Sequence, residues 1–397
     1  METSDFTKVP NLEKLSTEDC INLLWLHPSI GVLKKLTLLN LKGCKNLTTL
    51  PNKFEMESLE ILVLSGCSKL KEIPEFGTNM QRVMELYLDG TAITKLPTSI
   101  GHLIGLALLI LRDCKSLMCL PNSICNLKLL KTINLSGCSK LERLPKKMGN
   151  IESVEELDVS GTAIKELPSF SGLLKNLRMI SPHGCKGLAS SKKISCNEHR
   201  PYFIMPRSLD LMGFNNLWGL TKLILRDCNL QKIPNGIGSL FSLEVLALSG
   251  NNFVCLPESI IQLHNLRTME LENCMRLRSL PELPLCIVAI CGYDCTSLET
   301  LPYLLKPDSL CEVELFLSNC SKLVDNQGVI DMFFAVIRKH LQVSLSLSLS
   351  LSLSFSLLSL QPAFVCFRDS MLTVDMTSLF LEVKFRSGLA IKVWGLK

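Results

Sequence analysis

The hydrophobic residues of this chain fall into a pattern that repeats along most of its length. The spelling L-x-x-L-x-L-x-x-C starts at Leu12, Leu36, Leu59, Val83, Leu106, Leu130, Val154 and Leu177, and again at Leu220, Leu243, Leu266 and Ile287. Successive starts are 24, 23, 24, 23, 24, 24 and 23 residues apart, then 43, then 23, 23 and 21. Two stretches, "LSGCSKLKEIP" from Leu64 and "LSGCSKLERLP" from Leu135, are nearly the same eleven residues three periods apart. Within "LEILVLSGC" the leucines Leu62 and Leu64 alternate with Ile61 and Val63. Alternation with period two predicts a short strand with its leucines on one face. Leu70 and Ile73 then carry the apolar path onward, and Pro74, which has no N–H to give a ladder, suits a turn on the far side.

A single such unit has no second layer in which to bury its leucines. Stacking on its neighbour supplies one, and a period of 20 to 29 with this spelling predicts a leucine-rich-repeat solenoid. The expected class is α/β: a curved parallel sheet on the concave side, with short helices and turns on the convex side. The corner position holds cysteine at 20, 44, 67, 114, 138, 185, 228, 274 and 295, and Thr91, Thr162 or Asn251 elsewhere. These are small groups able to hydrogen-bond, which predicts an interior ladder.

The pattern assigns residues 1–302 to a solenoid of about twelve repeats, with the step of 43 absorbed by an insertion near 189–217. Residues 303–342 read as a post-repeat segment with a last diverged corner at Cys320 and a helix from about Gly328 to Leu341. Residues 343–360 are a Ser-Leu low-complexity tract. Its serine content makes a poor membrane span, and a CT dinucleotide repeat, a microsatellite or gene-model artefact, accounts for it better than selection. Residues 361–397 read as a short β-rich tail, with strands around Ser387-Gly388.

Composition adds exclusions. A net charge of +5 on 397 residues is too slight to argue for nucleic acid or a membrane surface. Eighteen cysteines would suggest disulfides in a small secreted protein. Here the repeat explains ten of them as core thiols, and no signal peptide precedes the first repeat, which favours a reducing compartment. The sequons at Asn46, Asn134 and Asn319 read as unused, and those at Asn46 and Asn134, "NLT" and "NLS", are by-products of the repeat spelling. Cys286, Cys291 and Cys295 lack a fourth ligand at zinc-site spacing, and Cys196 with His199 is a weak pair, so no metal is expected. The six histidines are scattered, with no H-E-x-x-H and no nucleophile elbow, which argues against an enzyme, a cofactor or a small-molecule substrate.

Function then falls to the solvent-facing positions of the concave strands. The register places there Asn40, Lys42, Tyr87, Asp89, Ile110, Arg112, Asn134, Glu155, Glu156, Asp158, His183, Ile224, Arg226, Glu270, Glu272 and Tyr293. Glu155, Glu156 and Asp158 gather acid on one rung, with Arg112 two rungs before and, if the insertion loops out, Arg226 two rungs after. Mixed charge beside Tyr87, Ile110 and Ile224 suits protein recognition.

The phrases "HPSIGVLKKLTLLNLKGCKNLTTLP", "MESLEILVLSGCSKLKEIPE", "LYLDGTAITKLPTSIGHL" and "LENCMRLRSLPELP" resemble the repeats of plant intracellular immune receptors of the Toll/interleukin-receptor, nucleotide-binding, leucine-rich-repeat class. The resemblance covers roughly residues 5–342. It implies a cytoplasmic module, with the nucleus as a second compartment, that takes part in defence signalling. Its implied partner is a pathogen effector or guarded host protein and, in a full-length receptor, its own nucleotide-binding domain. "LSNCSKLVDNQG" resembles the start of the jelly-roll domain that follows such repeats, and "EVKFRSGLAIKVWGLK" faintly resembles its end. No G-x-x-x-x-G-K-[ST] loop occurs, so nucleotide binding is not expected of this chain, which reads as the sensing half of a receptor without its signalling half. Two other readings stand beside it: an extracellular leucine-rich-repeat binding protein, and a truncated, non-functional receptor fragment.

Overall fold

The computed structural model describes residues 3–148, 151–165, 176–185, 217–302, 314–324 and 326, with strand segments at 365–367, 370–375, 380–384 and 390–394. The insertion, the helix expected near 328–341 and the Ser-Leu tract lie outside the described residues. Two compact units are present, Met1–Ile224 and Leu225–Lys397.

The first unit is a stack of coils, each contributing one short strand: β1 (Lys14–Ser16), β2 (Leu38–Asn40), β4 (Ile61–Val63), β6 (Glu85–Tyr87), β7 (Leu108–Ile110), β8 (Thr132–Asn134), β9 (Glu156–Asp158), β10 (Met179–Ser181) and β11 (Lys222–Ile224). They pair in parallel, each with the next, so that Leu39 lies beside Leu62, Leu62 beside Leu86 and Leu109 beside Ile133. Two further short strands, β3 (Lys53–Phe54) and β5 (Glu75–Phe76), pair on another side of the coils. Single-turn 3₁₀ helices follow the L-P dipeptides, as at Thr98–His102 and Asn122–Asn126. Proline immediately before such a turn holds the extended backbone from which it starts.

The second unit repeats this arrangement with β12 (Val245–Ala247), β13 (Thr268–Glu270), β14 (Ala289–Cys291) and β15 (Glu314–Phe316). Its last strands, β16 (Val365–Phe367), β17 (Ser370–Asp375), β18 (Phe380–Lys384) and β19 (Ala390–Trp394), run antiparallel to one another. β19 pairs in parallel with β15.

The alternating leucines are interior: Leu62, Leu64, Ile133 and Leu135 have no exposed surface. Each strand ends one residue earlier than the alternation suggests, yet pairing continues past it, as where Leu64 N–H donates to Tyr87 O at 2.8 Å. The corner column is buried and hydrogen-bonded. Cys67, Cys114, Cys138 and Cys185 donate to the carbonyls of Leu41, Leu88, Leu111 and Val159 of the preceding coil at 3.0–3.2 Å. Thr91 and Thr162 instead donate to their own coil, at Leu88 O and Val159 O, so one carbonyl accepts from two coils. Asn251 bridges Leu225 O and Leu248 O, both at 2.7 Å. These corner carbonyls are satisfied whether cysteine, threonine or asparagine turns the chain. Cys20 departs from the expected ladder: it is exposed, because no coil covers it among the described residues.

Candidate functional site

The residue before each corner turns the chain out of the strand in a left-handed conformation. Asp19, Asp113, Asp227, Asn273, Asp294 and Asn319 have φ between 51° and 60°, and the glycines in the same column, Gly137 and Gly161 among them, have φ of 65° to 75°. Only glycine, asparagine and aspartate visit this region readily. This column was missed by the sequence reading, although the recurring G-C, D-C and N-C pairs carry its signal. It shapes the sheet's margin. Where aspartate precedes glycine, the carboxylate occupies the space a side chain would need: a Cβ on Gly137 would lie 2.4 Å from Asp113 Oδ1.

In the first unit this margin opens into a shallow hollow of about 430 Å³. Its floor is Gly137, Gly161 and Gly184, and its walls include Arg112, Asp113, Asn134, Ser136, Asp158, Ser160 and His183. Four predicted concave residues, Arg112, Asn134, Asp158 and His183, therefore meet at one place. Asn134 Oδ1 accepts from Ser136 N–H at 2.9 Å and Ser136 Oγ–H at 2.6 Å. Asp158 Oδ1 accepts from Ser160 N–H at 2.9 Å. These local turns aim both side chains along the sheet surface.

The other predicted residues occupy separate settings. Asn40 Oδ1 accepts from Lys42 N–H at 3.0 Å. Lys42 Nζ sits 2.9 Å from Glu18; that bond holds the Glu18 carboxyl below its ordinary range and the lysine above its own. Partial burial and then its hydrogen bond to Glu85, at 2.8 Å, push the Tyr87 hydroxyl up. Asp89 accepts from Ser65 Oγ–H at 2.5 Å, and Ile110 and Ile224 are half-buried in β7 and β11.

The expected acid rung divides. Glu156 and Asp158 belong to β9, whereas Glu155 precedes it, 3.3 Å from Lys131 and 3.8 Å from Arg178. Glu155 thus belongs to a neighbouring column of alternating charge. Nor does Arg112 pair with that rung among the described residues. Arg112 Nε lies 3.4 Å from Asp113. In the second unit Arg226 donates through Nε to Glu270 at 3.0 Å, with a second guanidinium bond to the same oxygen. That clasp spans two rungs because buried Ala247 between them is small. Glu272 lies half-buried, and the Tyr293 ring packs against Phe316 with centroids 6.1 Å apart. Burial, then Cys291 and Glu272, push the Tyr293 hydroxyl up.

Residues 54–143 match the leucine-rich repeats of RPS4B-like disease resistance proteins, and residues 219–275 match a general leucine-rich repeat. The chain is 35% identical over 292 residues to TMV resistance protein N of Nicotiana glutinosa, covering 71% of this chain and 23% of that protein. It is 39% identical over 316 residues to the disease resistance-like protein DSC1 of Arabidopsis thaliana, covering 79% of this chain and 24% of DSC1. The chain therefore spans about a quarter of the length of these curated relatives. Among solved structures it is similar to the functional domain of InlJ from Listeria monocytogenes, which includes a cysteine ladder (14% identity, TM-score 0.42, covering 99% of this chain and 83% of that one).

Proposed function

The repeats of this chain belong to the leucine-rich-repeat region of plant disease-resistance proteins of the Toll/interleukin-receptor, nucleotide-binding class, and from that premise we propose that it is the protein-recognition and regulatory module of an immune receptor. In this reading it is a non-enzymatic scaffold that senses a pathogen effector or a guarded host protein, and in a full-length receptor it also meets its own nucleotide-binding domain. The observation that carries the reading is the contrast between the two faces of each strand. The inward positions of the concave strands β2, β4 and β6 to β9 are filled by leucine or isoleucine, while the outward positions vary through Asn40, Tyr87, Ile110, Asn134 and Asp158. Such variation on a rigid sheet suits selective contact.

Work in the cytoplasm, with the nucleus as a second compartment, is consistent with the ladder cysteines standing as free thiols. The test is proximity labelling in leaf cells with the native chain, with Tyr87→Ala/Ile110→Arg on the concave face, and with Met118→Ala/Ile104→Ala on exposed turns. The reading expects a set of labelled proteins lost with the concave variant and kept with the other. If no labelled protein depends on the concave residues, it fails.

A further inference from the structure

The concave face of the first unit carries a charge opposite to that of the chain. The protein as a whole is positive, at +5. From β6 to β10, however, the outward sheet columns and their margin present Glu85, Asp89, Asp113, Glu156 and Asp158 against Arg112 alone, and the next cation in these columns is Lys222 on β11. The acids are not equivalent. Glu85 is bonded by Tyr87, Asp89 by Ser65 and Asp113 lies beside Arg112. Glu156 and Asp158 form no ion pair among the described residues, and Asp158 Oδ2 carries no hydrogen bond there. Asp158 borders the hollow, whose floor of Gly137 and Gly161 has no side chains, and Glu156 lies two residues before it on β9, outside the lining.

We propose that this face docks an extended, arginine-bearing segment of a partner protein, with a guanidinium lying flat on the Gly137–Gly161 floor and forking onto the Asp158 carboxylate, while Glu156, two residues earlier on β9 and outside the hollow, adds negative charge along the path of the segment. The proposal rests on the recognition reading above and names the chemistry of the segment recognised. Charge complementarity supplies the sign, because a negative patch on a positive chain selects a cationic partner and steers its approach. The side-chain-free floor supplies the choice of cation. A planar guanidinium can lie against backbone and present parallel N–H donors to carboxylates, whereas a lysine ammonium is a compact point charge with no face to lay down. Half-buried Ile110, on the first rung of the hollow, and Tyr87, on the rung before it, give the flanking part of the segment apolar contact.

The test is fluorescence anisotropy of labelled hexa-arginine, hexa-lysine and hexa-glutamate peptides with the full chain at low and high salt. Binding should rank arginine above lysine above glutamate and weaken with salt. Asp113→Asn/Glu156→Gln/Asp158→Asn should weaken hexa-arginine binding about tenfold or more. Glu57→Gln/Glu72→Gln/Glu152→Gln, which removes the same charge from exposed positions elsewhere, should change it by less than about twofold. Asparagine is chosen at 113 because it tolerates the left-handed backbone there. If that triple variant melts early, Glu156→Gln/Asp158→Asn takes its place. Equal loss in both variant sets, no loss in either, or lysine binding as tightly as arginine would overturn the proposal. Failure here with concave-dependent partners still seen by proximity labelling removes the arginine chemistry alone; failure of both removes recognition by this face.

Discussion

The concave faces of the two units use the same columns in different ways. In the second unit the acid on β13, Glu270, is closed by Arg226, which reaches it across buried Ala247. In the first unit Asp158 of β9 borders a glycine-floored hollow, and Arg112, the arginine in the wall of that hollow, turns to its own neighbour Asp113. One unit thus closes the acid of its strand with an arginine, and the other leaves it open. The fold does not decide which: a strand column only places side chains at a regular spacing, and the identity of the residue one rung away determines whether two charges meet.

The largest expected effect removes the support beneath each face. Ile133→Ala under the hollow and Met269→Ala under the clasp should each cost about 2–5 kcal/mol, since both side chains are fully buried; chemical denaturation monitored by circular dichroism checks this. If either loses less than about 1 kcal/mol, that rung is not packed as described.

The next effect concerns the margin. Gly137→Ala forces a Cβ to within 2.4 Å of Asp113 Oδ1 at a φ of +75° and should destabilise by about 1–3 kcal/mol. Gly137→Ala with Asp113→Gly should recover the part due to the clash, leaving the backbone strain. In the second unit Gly250→Ala, whose Cβ would meet Asp227 Oδ1 at 2.0 Å, should behave alike.

Smaller differences separate clasp from hollow directly. Glu270→Gln should cost about 0.5–1 kcal/mol, discounted because the Arg226 side chain is 42% exposed and Glu270 21%. Asp158→Asn should change stability by less than about 0.5 kcal/mol, as its structural bond to Ser160 N–H survives in an amide. Thermal melts of the two variants side by side decide the order, and a larger loss at Asp158 would reverse the comparison.

A last prediction should not distinguish the units at all. Burial pushes the Cys67 thiol up to about 12 and the Cys274 thiol to about 11, from 9.0. The folded values lie above the unfolded one, so this contribution to stability is complete below pH 9 and is lost as the pH rises through the folded values. Both units should weaken on the alkaline side. Alkylation near neutral pH should spare Cys67 and Cys274 while modifying exposed Cys119 and Cys255. Peptide mass mapping reads the pattern.

The interior was legible because it admits one solution. Leu62 and Leu135 recur at a fixed spacing because each must fill the same gap between coils, and Cys67 or Cys138 must turn the same corner and reach the same carbonyl. The concave face was legible only as columns. The alternation placed Asn134, Asp158 and His183 together, but Glu155 was assigned one position too far into the strand, because β9 begins at Glu156. Arg112 and Arg226 were grouped with the acid rung by rung count, whereas pairing follows side-chain reach: one turns to its sequence neighbour and the other crosses a small alanine. The left-handed Gly/Asp/Asn column was visible in the spelling, but it carries no hydrophobic signal and a search for buried periodicity passes over it.

The most direct measurement of open hollow against closed clasp is carbodiimide labelling of carboxylates at neutral pH, read residue by residue by mass spectrometry. Glu156 and Asp158 should label readily in the free chain, while Glu270, held by Arg226, should lag well behind. Glu270 labelling as fast as Asp158, or Asp158 resisting as Glu270 does, would contradict the account.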